Sequence, residues 1–227
     1  MNTIFKKIFD SKRMKNLILL LIGCFAGWGA TAQYDQKART VLDAMSEKYS
    51  KISAYKAEIT STMVNESDGI DEKMQGEITV KGNKFILKLD EQAIYNNGQT
   101  VWTYLIEANE VNIDNYDPDE EEITPSKIYN AYKKGYKYLY IEEANINSNL
   151  CDVIDLVPEN TKDTQFFKIK MYISQKDRSL ISWVMFEKSG NQYKYEIFNF
   201  KDNIQIAESA FTFDPSKYPG VDIIDLR

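Results

Sequence analysis

Between residues 76 and 105 the chain alternates short apolar runs with two tight-turn signals, Gly82-Asn83 and Asn97-Gly98. That pattern leaves few folds open to it. Asn-Gly between apolar runs is a strong short-range hairpin signal, because a type I′ turn requires positive φ at both central residues. Successive side chains of a strand face opposite ways, so Phe85, Leu87 and Leu89 share one side and Ile86 and Lys88 the other. The stretch reads as an antiparallel meander with one apolar face.

The flanking sequence extends the meander. Residues 53–64 are rich in strand formers and end at a turn around 65–69, and residues 110–116 supply a further strand. Beyond them Tyr136, Tyr138 and Tyr140 alternate, and residues 150–157 stop at Pro158. In residues 166–173, Phe167, Ile169, Met171 and Ile173 oppose Lys168, Lys170 and Tyr172. Residues 180–187 and 192–200 flank a Ser189-Gly190 turn, and residues 210–215 are expected to close the sheet. The total is about ten or eleven strands in a mainly β (α+β) domain, 33–227; a sheet of that length curls or closes, because open edges are reactive.

Two helices accompany the strands. Asp35 can cap a helix whose apolar positions Ala38, Val41, Leu42, Met45 and Tyr49 form one stripe. Thr124 as N-cap, Pro125 at the first helical position and Gly135 beyond the end frame a second, short helix bearing Ile128, Ala131 and Tyr132. It is too short to stand alone and must dock, either as a lid or as a fixed crossover.

Residues 1–32 read as a signal peptide. Lys12, Arg13 and Lys15 precede an apolar run, and Ala30-Thr31-Ala32 matches a small-x-small cleavage site before Gln33. Met14 serves equally well as a start. Leu21-Ile22-Gly23-Cys24 also matches a lipobox, in which Cys24 would carry lipid, but the apolar run before it is short. Cleavage after Ala32 removes five basic residues and one acidic residue and leaves a net charge of about −10. Such a chain repels phosphate backbones, which excludes nucleic acid as the expected partner. Only Cys151 remains, so no intramolecular disulfide can form.

Histidine is absent, which removes the commonest general base and metal ligand together and rules out Ser-His-Asp, Cys-His and His-containing zinc sites. The acid run 117–122 lacks the Gly and Glu spacing of an EF-hand loop and reads as a solvated loop. The acids Asp152 and Asp155, and Glu142 and Glu143, read as exposed charge. No catalytic residue, metal or cofactor is expected.

Several motifs then carry a resemblance. Gly76-Glu77-Ile78-x-Val80-Lys81-Gly82-Asn83-Lys84-Phe85-x-Leu87-Lys88-Leu89, followed by Asn97-Gly98-x-Thr100-Val101-Trp102-Thr103-Tyr104, resembles the LolA family of periplasmic outer-membrane lipoprotein carriers. The amphipathic helix before the first strand, Asp155-Leu156-Val157-Pro158, Ser189-Gly190 and Phe211-x-Phe213-Asp214-Pro215 agree in order, across essentially all of 33–227.

The resemblance implies an unclosed antiparallel β-barrel with a helical lid over a hydrophobic cavity. It further implies a monomeric periplasmic chaperone, which takes the acyl chains of lipoproteins released by an inner-membrane ABC transporter and delivers them to an outer-membrane acceptor or the membrane itself. Phe85, Leu87, Leu89, Trp102 and Tyr104 would line the cavity from the first half of the sheet. Phe167, Ile169 and Met171 would line it from the second, with Ile128 and Tyr132 from the lid. Alternation alone describes a filled barrel and a hollow one alike. The alternative is a membrane-tethered acceptor or sensor anchored through Cys24. One departure stands out: where the best-known carriers place a lid-latching arginine, this chain has Lys81-Gly82-Asn83.

Overall fold

The computed structural model describes residues 35–117, 127–162 and 164–227; the segment read as a signal peptide, Cys24, Thr124-Pro125 and most of the acid run lie outside them. The helix expected after Asp35 is α1 (Gln36–Ser50). Asp35 Oδ1 accepts from the Lys37 and Ala38 amides, satisfying two of the donors that a helix start leaves open. Ala38, Val41, Leu42, Met45 and Tyr49 are its buried stripe, as the spacing requires, with Ser46 among them.

Eleven strands follow before the C-terminal segment. The first six are β1 (Tyr55–Asn65), β2 (Ile70–Lys81), β3 (Lys84–Leu89), β4 (Gln92–Asn96), β5 (Thr100–Leu105) and β6 (Glu110–Asn115). The next five are β7 (Tyr136–Ile146), β8 (Asn149–Pro158), β9 (Phe166–Ser174), β10 (Leu180–Glu187) and β11 (Gln192–Asp202). With β12 (Asp222–Asp225) they form one sheet in the order β12-β6-β5-β4-β3-β2-β1-β11-β10-β9-β8-β7. Two meanders, β1–β6 and β7–β11, join where β1 pairs with β11, and the end strands β12 and β7 do not pair with each other. The architecture is the unclosed barrel that the sequence implies.

Both signalled hairpins form, with different turns. Lys81 and Lys84 pair across two residues, Gly82 has φ +58° and Asn83 keeps a negative φ, which is the type II′ arrangement. At the second hairpin only Gly98 has positive φ, +88°. The Asn97 side chain supplies the rest of that turn by accepting from the Gln99 and Thr100 amides. Gly76 answers a different need. It sits between Ile59 and Leu89, and a Cβ there would come 1.9 Å from the Lys88 carbonyl oxygen, so only glycine lets β2 and β3 approach so closely.

Two elements differ from expectation. Residues 210–215 do not close the sheet. They continue from a 3-10 helix (Glu208–Phe211) into another (Pro215–Lys217), and the last strand is β12, which extends the sheet edge parallel to β6. The alternating Phe211 and Phe213 mimic a strand because both face the sheet, but they pack over its outer side and make no ladder. The described part of the expected second helix is a 3-10 helix (Ile128–Lys133) with no side-chain cap.

Apolar residues divide between the faces. The larger cluster, here the inner face, joins α1 and the 3-10 helix Ile128–Lys133 to β1–β3 and β7–β10. The smaller, outer cluster packs Phe211, Phe213 and Tyr218 over Ile86, Tyr95 and Tyr104.

Candidate functional site

Register defines the inner face row by row. In the first meander, Ala57, Ile78, Leu87 and Ile94 lie side by side, and so do Tyr55, Val80 and Phe85. In the second, one row runs Tyr138, Leu156, Ile169, Met185, Tyr193, and the next runs Tyr140, Ile154, Met171, Trp183, Tyr195. Cross-strand neighbours of this kind are the unit of sheet packing. The result is a continuous apolar surface with aromatic and methionine side chains, which adapt their shape to what they touch.

Of the residues expected there, Phe85, Ile169 and Met171 belong to the inner cluster, with Leu87 and Leu89 packed against it. Ile128 and Tyr132 reach the same cluster from the 3-10 helix. Three others lie elsewhere. Trp102 and Tyr104 sit on the outer face, because Thr103 and not its neighbours is level with Ile94 and Leu87. Tyr104 instead meets Phe213 at 5.5 Å and donates its hydroxyl to Asn109. Phe167 is 42% exposed. Glu187 pairs with Phe166 while Phe186 pairs with Lys168, so Phe167 is the extra residue of a bulge and turns out against Phe186. Phe166 takes its place inside.

The inner face is covered. Val41, Leu42 and Met45 of α1 press on it, and the helix crosses from β7 to β1. At its start, the Asp35 amide donates to the Tyr138 carbonyl and Asp35 Oδ2 accepts from the Tyr140 amide. At its end, Tyr49 accepts from the Leu180 amide at 3.1 Å, stacks on Tyr129 at 3.5 Å and meets Tyr55 edge-on. The 3-10 helix is bound to α1 rather than to the Lys81-Gly82-Asn83 turn. Tyr132 donates to Asp43 at 2.6 Å and Ser46 donates to Asn130 at 2.6 Å. The α-helix and the 3-10 helix therefore form one plug.

The plug is fixed to the sheet by a polar rim. Lys48 donates to Asp177 at 2.7 Å. Burial opposes the charge on Asp177, but hydrogen bonds from Lys48, Ser179 and Ser174 outweigh it and hold its carboxyl well below the usual range. Nearby, Asp152 accepts from Tyr140, Gln175 and Arg178, the last at 2.6 Å, and the Lys37 ammonium lies 3.6 Å over the Tyr140 ring. Asp152 is only 3% exposed, against the expectation of exposed charge. Arg178 adopts φ +61°, in the β9–β10 turn, to reach it. Within the plug, burial raises the Tyr49 phenol to about 12 and lifts Tyr129 and Tyr132 well above their ordinary value.

Sequence reasoning passes over Trp183, Met185 and Tyr195, although residues 180–187 alternate as regularly as 166–173 and the Ser189-Gly190 turn joins their strands. Two of the clefts among the described residues lie away from the inner cluster. One of about 300 Å³ lies outside, between Lys56, Thr79, Lys88 and Ile206, and one of about 370 Å³ lies by Lys162 and Ser189. No described helix is long and apolar enough to cross a membrane, and no described acid or cysteine cluster could hold a metal ion.

Residues 50–214 match the family model described as outer membrane lipoprotein carrier protein LolA. A search of curated proteins gives no match. Among solved structures, an uncharacterized conserved protein from Thermus thermophilus aligns with 84% of this chain and 99% of its own at 12% identity, with a TM-score of 0.56. At that identity the likeness is one of fold. LprF from Mycobacterium bovis is similar over 77% of this chain and 97% of its own (11% identity, TM-score 0.45). A LolA superfamily protein from Nitrosomonas europaea is similar over 78% and 98% (12% identity, TM-score 0.42).

Proposed function

The chain belongs to the LolA family of outer membrane lipoprotein carrier proteins, and from that premise we propose that its inner face takes up the acyl chains of lipoproteins. The carrier would work in the periplasm, receiving cargo from an inner-membrane ABC transporter and handing it to an outer-membrane acceptor or to the membrane itself. The observation that carries this reading is the plug. A large apolar surface is covered by a helix and a 3-10 helix that share one hydrogen-bonded unit and reach the sheet through a short polar rim.

Val41, Leu42, Met45 and Ile128 occupy the space an acyl chain would fill. Cargo and plug therefore compete for one surface. Each methylene buried contributes about 0.8 kcal/mol, and the contacts that the plug gives up are subtracted from that gain. Such a balance suits a carrier, which must release what it binds. No step requires a catalytic group.

The test is the lipid content of protein purified from its own host. Mass spectrometry should find acylated peptide or lipid in the wild type and much less in Leu87→Gln or Met171→Gln, with both variants still folded by circular dichroism. Folded wild type that neither carries nor takes up acylated peptide would overturn the reading.

A further inference from the structure

The inner face holds two buried donors that no described residue satisfies. Trp183 is 5% exposed and its indole Nε1 has no acceptor; Asn96 is fully buried and its Nδ2 has none. Both lie on the inner face by register, Trp183 between Met171 and Tyr195, and Asn96 beside Phe85. The Asn96 amide cannot be turned to help, because its Oδ1 already accepts from the Gly98 amide at 2.6 Å. The Trp183 ring is clamped by Tyr195, stacked at 4.8 Å, so the indole edge cannot swing to a protein acceptor without breaking that stack.

Buried tryptophan N–H groups nearly always find a partner, and leaving one unmet has a substantial desolvation cost. The buried, unpartnered groups on this face are both donors among the described residues. The other unpartnered buried groups, Asp155 Oδ1 and the Ser182 hydroxyl, belong to the other face, Asp155 beside Lys168 and Lys170 and Ser182 between Tyr172 and Glu196. A ligand that completes the inner face therefore needs acceptors and no donors. A bare hydrocarbon has neither, whereas an acyl ester or amide presents a carbonyl oxygen at the head of each chain.

We infer that the Trp183 indole N–H donates to an acyl carbonyl oxygen of the bound lipid, so that the site reads where the chain is joined to its head as well as how greasy it is. Asn96 offers a second donor of the same kind. The inference rests on the carrier reading above and adds a polar positioning contact to it. Tail burial supplies affinity, while the carbonyl contact sets how deep the chain sits.

Two probes separate these contributions: dioctanoylglycerol, with ester carbonyls, and the dioctyl ether of glycerol, with the same tails and no carbonyl. In full-chain protein labelled with nitrogen-15, the Trp183 indole resonance should move downfield on saturation with the ester and much less with the ether. The wild type should bind the ester about five- to tenfold more tightly, the worth of one net hydrogen bond in a buried site. Trp183→Phe keeps the apolar surface and removes the donor, so it should lose that preference while binding the ether as before. An unmoved indole resonance with equal binding of both probes by the wild type would overturn the inference and leave the carrier reading intact. Failure of the wild type to bind either probe would overturn the carrier reading itself. The resonance measurement needs no variant, so it decides the matter even where Trp183→Phe folds poorly.

Discussion

The Tyr132 hydroxyl donates to the Asp43 carboxylate at 2.6 Å, tying the 3-10 helix Ile128–Lys133 to α1. The 3-10 helix is held by α1, so the two elements should leave the inner face together.

Tyr132→Phe removes that contact and leaves the ring. A hydrogen bond to a carboxylate contributes roughly 1.5–3 kcal/mol, so the variant should unfold more easily by about 1–2 kcal/mol and take up acyl probes faster. Asp43→Asn should act in the same direction, and the double variant should cost less than the two singly, because they remove one interaction. Chemical denaturation and stopped-flow uptake measure the two effects. Additive losses would show that the two side chains act independently.

Alkaline pH should loosen the same plug. Burial raises Tyr49 to about 12, and burial together with neighbouring phenols also holds Tyr129 well above its ordinary value. Below about pH 10 folded and unfolded chains both keep these protons; above it the unfolded chain loses them and the folded chain does not. Stability therefore falls as pH rises, by up to about 1.4 kcal/mol per pH unit for each such tyrosine, and for Tyr49 the fall spans about pH 10 to 12. Denaturation midpoints recorded at about pH 8, 9.5 and 11 check the sign, with Tyr49→Phe expected to flatten the slope.

Arg178 and Asp152 form the polar rim's most buried pair, with side chains 36% and 5% exposed. Arg178→Ala leaves Asp152 with only Tyr140 and Gln175 as donors. A buried carboxylate deprived of its cation costs roughly 2–4 kcal/mol, and Arg178→Ala/Asp152→Asn should recover much of that because the stranded charge is gone. Thermal melts of the three proteins test it.

Much of this molecule is legible in its sequence, and the failures have identifiable causes. The α1 stripe and the Phe85-Leu87-Leu89 face are readable because a fixed period and a clear cap or turn determine them. Trp102 and Tyr104 fall on the opposite face from the one their size suggests, because the register across the Asn97-Gly98 turn places Thr103 inside. Phe167 is displaced by a bulge, which resets the period by one residue and leaves no mark in composition. The strand pattern of Phe211 and Phe213 belongs to a cover, since period two describes any extended segment with one buried side. The plug's polar contacts join residues up to 131 positions apart, beyond the reach of any local pattern.

Gly76 offers a test of how tightly the sheet is wound. Its missing Cβ would meet the Lys88 carbonyl oxygen at 1.9 Å and the carbonyl carbon at 2.9 Å, and neither is the end of a flexible side chain. Gly76→Ala must therefore push β2 from β3 at the centre of the first meander, where Ile59 and Leu89 are its partners. Overpacking against backbone costs roughly 2–4 kcal/mol. The strain should also reach function, because Leu87 and Leu89 ride on the displaced strand. The expected result is a lower melting temperature together with weaker acyl binding, while Gly69→Ala, in a turn where an added Cβ meets nothing within 4 Å, changes stability less and leaves binding unaltered. Gly69 has φ +68°, so alanine there costs about 1 kcal/mol of backbone strain; acyl binding by Gly76→Ala equal to that of Gly69→Ala would mean that β2 and β3 can part without disturbing the inner face.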